Sequence, residues 1–278
     1  MTAAIQAEVA VIGGTGLYSL GLLEGPAGKT LSTPYGDHSD GLAVGKLAGV
    51  RAAFLPRHGR GHTLPPHRVP YRANLWALHE LGVKRIVAIS AMGGLRPEYR
   101  IGDLVLPDQF IDWTGGRPAT FFDGPQVVHT SLADPFCPVL RPALAAAAEQ
   151  VGFRVHRRGT CLTFAGPRFS TRAESTLFRE VAGADLLSMT LVPEVVLARE
   201  LGMCYATCAV ITDLDVWGPE PVRADQVTEV MRAQLPRLSR LVRLALSGFA
   251  DLPRCTCAGD AAAPAGGARP TAADPGSQ

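Results

Sequence analysis

Residues 187–217 read LSMTLVPEVVLARELGMCYATCAVITDLDVW, and the order of signals in this stretch sets the architecture. Leu187-Ser188-Met189-Thr190 reads as a turn. Proline suits the first helical position, where an N–H would be unpaired anyway, so a helix can open at Pro193. Val195, Val196, Ala198 and Leu201 then share one helical face, and Gly202 supplies a stop. Cys204 to Ile211 is an apolar run bounded by polar residues, the pattern of a buried parallel strand. Thr190 thus precedes a helix N-terminus, whose N–H groups and dipole favour an anion. Asp213 and Asp215 fall past the carboxyl end of a strand, where ligands of open α/β sheets bind. Two residues apart in an extended chain, they point the same way. On this stretch alone, a capping threonine followed by a solvated acidic turn fits as well as a ligand site.

The chain has 278 residues, 47% of them hydrophobic, which supports a sizeable core. A formal charge of +2 without a long basic run gives no reason to expect nucleic acid as a partner. No apolar run reaches the ~18 residues of a membrane span. Met1-Thr2-Ala3-Ala4 lacks the basic region of a signal peptide, so a cytoplasmic protein with no membrane association is expected. Of six cysteines, Cys137, Cys161, Cys204 and Cys208 are scattered, and only Cys255 and Cys257 cluster. They have no second pair beside them in sequence, so no metal site is expected.

Outward from the opening stretch, other strands also end in small or polar loops. Glu8 to Ile12 runs into Gly13-Gly14-Thr15-Gly16, which has neither the dinucleotide spacing nor the lysine of a Walker loop. Its backbone N–H groups can still approach a ligand. Phe54-Leu55-Pro56 delivers Arg57-His58-Gly59-Arg60-Gly61-His62. The two glycines argue against a helical zinc pair, whereas arginine's planar fork suits an oxyanion. A solvated basic loop fits the same residues. Arg85 to Ile89 ends in Ser90-Ala91-Met92-Gly93-Gly94. Between these lie helices over Tyr71–Leu81, Pro138–Val151 and, behind a Thr171/Glu174 capping box, through Val181. Single strands are expected over Asp103–Phe110 and Arg154–Phe164, and a helix over Val222–Leu252 broken at Pro236. Alternating strands and helices predict an α/β fold, one domain with a mixed, mostly parallel sheet flanked by helices. Residues 1–253 form that domain, and 254–278, rich in Ala, Gly and Pro, read as a disordered tail. If the strand-end loops converge, they place an anion pocket beside a pair of acceptors.

Val11 to Gly16, Arg57-His58-Gly59-Arg60, Ala73 to Leu78 and Gly166-Pro167-Arg168-Phe169-Ser170 together resemble the trimeric purine nucleoside phosphorylase superfamily. So do Met189-Thr190, Val192-Pro193-Glu194-Val195 and Thr212-Asp213-Leu214-Asp215, and the spacing is closest to its 5′-methylthioadenosine phosphorylase branch. The similarity spans roughly residues 8–250. It implies a phosphate site of Thr15, Arg57, His58, Ser90, Ala91 and Thr190. It implies substrate contacts from Met189, Phe169, Ser170, Asp213, Leu214, Asp215 and Val227, and from His129 of a neighbouring protomer. Relatives that prefer 6-oxopurines carry Glu at the Ser170 position and Asn at the Asp213 position, so these residues suit a 6-aminopurine. The usual Thr before Ala is Ser90 here, which keeps the hydroxyl. The C-terminal segment that closes over the 5′ group in relatives has no clear counterpart.

The implied reaction is reversible phosphorolysis of S-methyl-5′-thioadenosine to adenine and 5-methylthioribose 1-phosphate, a step of purine and methionine salvage. Asp213 and Asp215 are its catalytic candidates, and inorganic phosphate is a co-substrate with no metal or organic cofactor. A homotrimer, or a dimer of trimers, is the implied assembly. The rival within the superfamily is a purine nucleoside phosphorylase of broader or 6-oxopurine preference. A non-catalytic nucleotide-binding module is the rival from another class, and phosphate-dependent release of free base separates it.

Overall fold

The computed structural model describes residues 7–14, 21–125, 127–218, 220–249 and 252–258. Its central strands are the apolar runs: β1 (Val9–Gly13), β5 (Arg85–Gly94) and β11 (Cys204–Asp213). β1 lies parallel to β5 through Val9↔Arg85, and β11 lies parallel to β5 on its other side through Cys204↔Arg85. With β2 (Glu24–Lys29), β3 (Leu42–Leu47) and β4 (Val50–Pro56), one arm of the sheet runs β2-β3-β4-β1-β5. Beyond β5 the sheet forks. β6 (Leu104–Val105) and β8 (Val155–His156) follow β11, whereas β10 (Leu186–Ser188), β9 (Thr160–Phe164) and β7 (Gln109–Trp113) form the other branch. The predicted α/β fold with a mixed, mostly parallel sheet is the observed one.

Strand periodicity divides the core in two. Tyr205, Ala209 and Ile211 of β11 and Ala10 and Ile12 of β1 pack with α1 (Tyr71–Glu80) and α4 (Leu191–Glu200). The intervening Ala206, Cys208, Val210, Val9 and Val11 pack with α2 (Leu140–Gln150) and the long helix α5 (Ala224–Ser247). Side chains that alternate along a strand therefore reach helices on opposite faces.

Three expectations are corrected. The helix expected to break at Pro236 is continuous over Ala224–Ser247, here α5. An interior proline costs about 3 kcal/mol. Burying Met231, Leu238, Leu241 and Leu246 on the sheet offsets it, at roughly 1.5–3 kcal/mol each. The single strands expected over Asp103–Phe110 and Arg154–Phe164 are each two, because the chain breaks at Pro107, which cannot donate to a ladder, and at Gly159. The expected tail boundary at 254 falls inside a segment that packs on the core: Cys257 is 1% exposed. The rest of that tail, 259–278, lies outside the described residues. The expected capping box is present, with Thr171 and Glu174 bonding reciprocally ahead of α3 (Arg172–Thr176).

Candidate active site

A cleft of about 520 Å³ opens at the carboxyl ends of β1, β4, β5 and β11, where a parallel sheet gathers its loops. β10 enters from the other direction, antiparallel to the end of β5 with Leu187 opposite Gly93. That reversal carries Ser188, Met189 and Thr190 back alongside Ser90 and Ala91, so all five line the cleft. Two glycines leave the necessary room. A Cβ at Gly14 would sit 2.8 Å from Arg57 Nη1, and one at Gly93 would sit 3.0 Å from Asp213 Oδ1.

Arg57 leaves β4 into the interior rather than onto a solvated loop. It is 1% exposed, and its Nε and Nη2 donate to Glu194 Oε2 and Oε1 at 2.6 and 2.8 Å. The Tyr205 hydroxyl donates to the same Glu194 Oε1 at 2.7 Å. Burial opposes the guanidinium charge, but the adjoining carboxylate outweighs it and holds Arg57 above its ordinary pKa. Among the described residues the third nitrogen, Nη1, has only a 3.4 Å contact to the Ile89 carbonyl, which leaves it able to donate to a ligand.

His58 beside it is buried, and its pKa is pushed down to about 3, first by burial and then by the Arg57 charge. Its Nδ1 lies 2.8 Å from the Leu64 carbonyl, which can only accept, so Nδ1 carries the hydrogen. His58 is thus a neutral ring that presents Nε2 as an acceptor. Thr190 does precede helix α4, whose regular part begins at Pro193 because Val192 has a non-helical backbone. However, the N–H groups of Thr190 and Leu191 already donate to Ser188 Oγ at 3.1 and 3.2 Å. Those two N–H groups are therefore already engaged and are not open to an anion. Thr15 lies outside the described residues.

The two carboxylates, Asp213 and Asp215, also line the cleft. They do not share an extended segment, as the sequence suggested. β11 ends at Asp213, and Asp215 takes a left-handed backbone at φ +48°, a conformation aspartate tolerates better than most residues. This turn brings the Asp215 N–H to Asp213 Oδ1 at 3.0 Å, while the Thr212 hydroxyl donates to Asp213 Oδ2 at 2.8 Å. Burial raises the Asp213 pKa, with the neighbouring Asp215 charge adding to it against those hydrogen bonds. Asp215 receives the buried Ser170 hydroxyl on Oδ1. Its Oδ2 is buried with no hydrogen-bond partner among the described residues. An unpaired buried acceptor is costly, so it marks where a ligand donor belongs.

Phe169, Met189 and Val227 also line the cleft, whereas Ser170 and Leu214 are not among its lining residues. His129 is exposed and is not among the lining residues. Tyr205 and Arg117 support the site without a sequence signal, and Glu194 entered the sequence reading only within the Val192-Pro193-Glu194-Val195 motif. Arg117 donates to the carbonyls of Met189, Val192 and Ala165 at 2.6, 3.0 and 2.5 Å, which fixes the loop under the cleft.

The chain matches the phosphorylase superfamily over residues 8–247. It is 51% identical to the S-methyl-5′-thioadenosine phosphorylase of Hyperthermus butylicus, over 91% of this chain and 93% of that one. Its fold is similar to a methylthioadenosine phosphorylase from an antarctic soil metagenomic library, with a TM-score of 0.87, 40% identity and coverage of 93% and 92%. It is also similar to the Schistosoma mansoni methylthioadenosine phosphorylase in complex with adenine, with a TM-score of 0.84, 38% identity and coverage of 88% and 92%. The chain belongs to the phosphorylase superfamily, in the branch of the S-methyl-5′-thioadenosine phosphorylases.

Proposed function

We propose that this chain catalyses reversible phosphorolysis of S-methyl-5′-thioadenosine, giving adenine and 5-methylthioribose 1-phosphate. The observation that carries the reading is the carboxylate pair: Asp213, whose pKa burial raises, beside the buried Oδ2 of Asp215, which has no partner among the described residues. One edge of adenine presents N7 as acceptor and the exocyclic N6–H as donor, whereas a 6-oxopurine presents two acceptors there. Asp213 would donate to N7 and Asp215 would accept from N6–H. An oxopurine would leave Asp215 facing another acceptor, the kind of mismatch that gives discrimination of about 10⁴-fold. The names of the relatives support the same reading, as does a Schistosoma mansoni adenosine/methylthioadenosine phosphorylase variant solved in complex with methylthioadenosine.

Phosphate would sit between Arg57 Nη1, His58, Ser90, Ala91 and Thr190, with Thr15 as a further candidate. A neutral His58 that offers Nε2 as acceptor suits the protonated oxygen of hydrogen phosphate. Held there, phosphate would stabilise positive charge developing on the sugar and attack opposite the departing base. As N7 gains electron density, Asp213 would give it a proton. Phe169 and Met189 would pack the base and ribose, and Val227 would meet the 5′-methylthio group. The reaction so written needs no cofactor. Turnover of methylthioadenosine, adenosine and inosine with and without phosphate tests it. Phosphate-dependent release of adenine, with inosine poorer by orders of magnitude, is the expected result. Comparable turnover of inosine would favour the broader purine nucleoside phosphorylase.

The proposed assembly is a homotrimer in which His129 completes the neighbouring protomer's sugar site. Its exposure away from its own cleft supports this, as do the exposed Trp113 and Val181, 53% and 77% accessible. Arg57→Ala and His129→Ala proteins, mixed after dissociation, should regain activity, because mixed trimers hold sites with neither defect. Confirmed mixed trimers with only the summed activity of the two variants would place the whole site in one chain.

A further inference from the structure

At the far end of β11 from the cleft, the structure joins cysteines that the sequence keeps apart. The Sγ atoms of Cys137, Cys204, Cys255 and Cys257 all lie within 4.8 Å of one another. The expectation that Cys255 and Cys257 lack a second pair is therefore corrected: Cys137, ahead of α2, and Cys204, the first residue of β11, supply it. From this geometry we infer that the four thiolates form a structural Zn(II) site, one per chain, that fastens residues 252–258 to the core.

Four sulfurs about 2.3 Å from a central zinc stand roughly 3.8 Å apart, within the spread observed. An all-sulfur set of four selects zinc over the hard cations, which prefer oxygen. Three of the four residues are buried and Cys255 is half-buried, so the set is closed, as in a structural rather than a catalytic zinc site. The surroundings favour thiolates. The Leu140 N–H points at Cys137 Sγ, 3.4 Å away, at the N-terminus of α2. Binding a dication releases the thiol protons, so uptake of zinc is coupled to proton release. The site lies nine residues along β11 from Asp213, about 30 Å at strand spacing, so it takes no part in the cleft's chemistry.

The test uses the full chain, purified with a mild reductant and without chelators. Metal analysis should find one zinc per chain. Chelation followed by Co(II) should give the intense absorption of a tetrahedral tetrathiolate complex. Cys255→Ser with Cys257→Ser should lose zinc and lower the Tm while leaving nucleoside turnover at room temperature unchanged. Zinc at wild-type stoichiometry in that double variant would overturn the proposal. So would a reduced wild-type chain that takes up neither Zn(II) nor Co(II), including one whose four thiols are recovered as two disulfides before reduction. A chain isolated without metal that forms the tetrathiolate cobalt complex once reduced would uphold the site.

Discussion

Asp213→Asn is expected to lower kcat for methylthioadenosine phosphorolysis by about 10²–10⁴-fold, the usual contribution of a positioned general acid. Asparagine keeps the size and can still accept from the Asp215 N–H, and its amide can face the Thr212 hydroxyl. The geometry survives, and the transferable proton does not. The same change should not cost stability. Asp213 is raised above its ordinary pKa, so the folded chain holds this proton more tightly than the unfolded chain. Stability from this group is therefore greatest at low pH. It falls as pH climbs from the unfolded to the folded pKa, and stays lower above that. Asparagine removes that penalty, and the variant's Tm at neutral pH should equal or exceed the wild type's.

The pH profile separates a proton donor from a simple hydrogen-bonding group. Wild-type kcat/KM should decline toward alkaline pH as Asp213 ionises in the free enzyme, and that limb should be missing from the variant. If the variant keeps both near-wild-type turnover and the alkaline limb, the proton comes from elsewhere. In that case Asp215 would have to do more than accept N6–H.

Much of this site was legible because its residues sit in loops that end strands, where local punctuation is strong. Arg57, His58, Ser90, Ala91, Met189, Thr190, Asp213 and Asp215 were all read that way, and all line one cleft. What local reading missed depends on residues distant in sequence. A solvated Arg-His loop and a buried Arg57 have the same local sequence, and 137 residues separate Arg57 from the partner that decides between them. One signal did exist. α4 is apolar from Leu191 to Ala198 except at Glu194, and a carboxylate among such neighbours must be buried and paired. No such hint ties Cys137 and Cys204 to Cys255 and Cys257, because only the sheet and the return of the C-terminal segment bring them together. The antiparallel entry of β10 was equally hidden, since an apolar strand does not record its direction.

The buried ion pair makes Arg57 the position where a single change should have two separable effects. Arg57→Ala leaves the Glu194 carboxylate buried, with the Tyr205 hydroxyl its only partner among the described residues. Breaking a buried pair from one side costs about 3–5 kcal/mol, a fall in Tm on the order of 10 °C for a chain of this size. It also removes the Nη1 donor from the cleft. A lost charged hydrogen bond of about 1.5–3 kcal/mol corresponds to a drop of roughly 10- to 150-fold in kcat/KM for phosphate. Replacing the whole group with apolar side chains, as Arg57→Met, Glu194→Leu and Tyr205→Phe together, removes the stranded charge and the stranded hydroxyl. Such replacements of buried ion pairs are often neutral or stabilising, so most of the lost Tm should return. Phosphate kinetics should not return with it, because no donor is restored. If the triple variant regains both, Arg57 is a structural ion pair only, and the anion is held by His58, Ser90 and Thr190 without it.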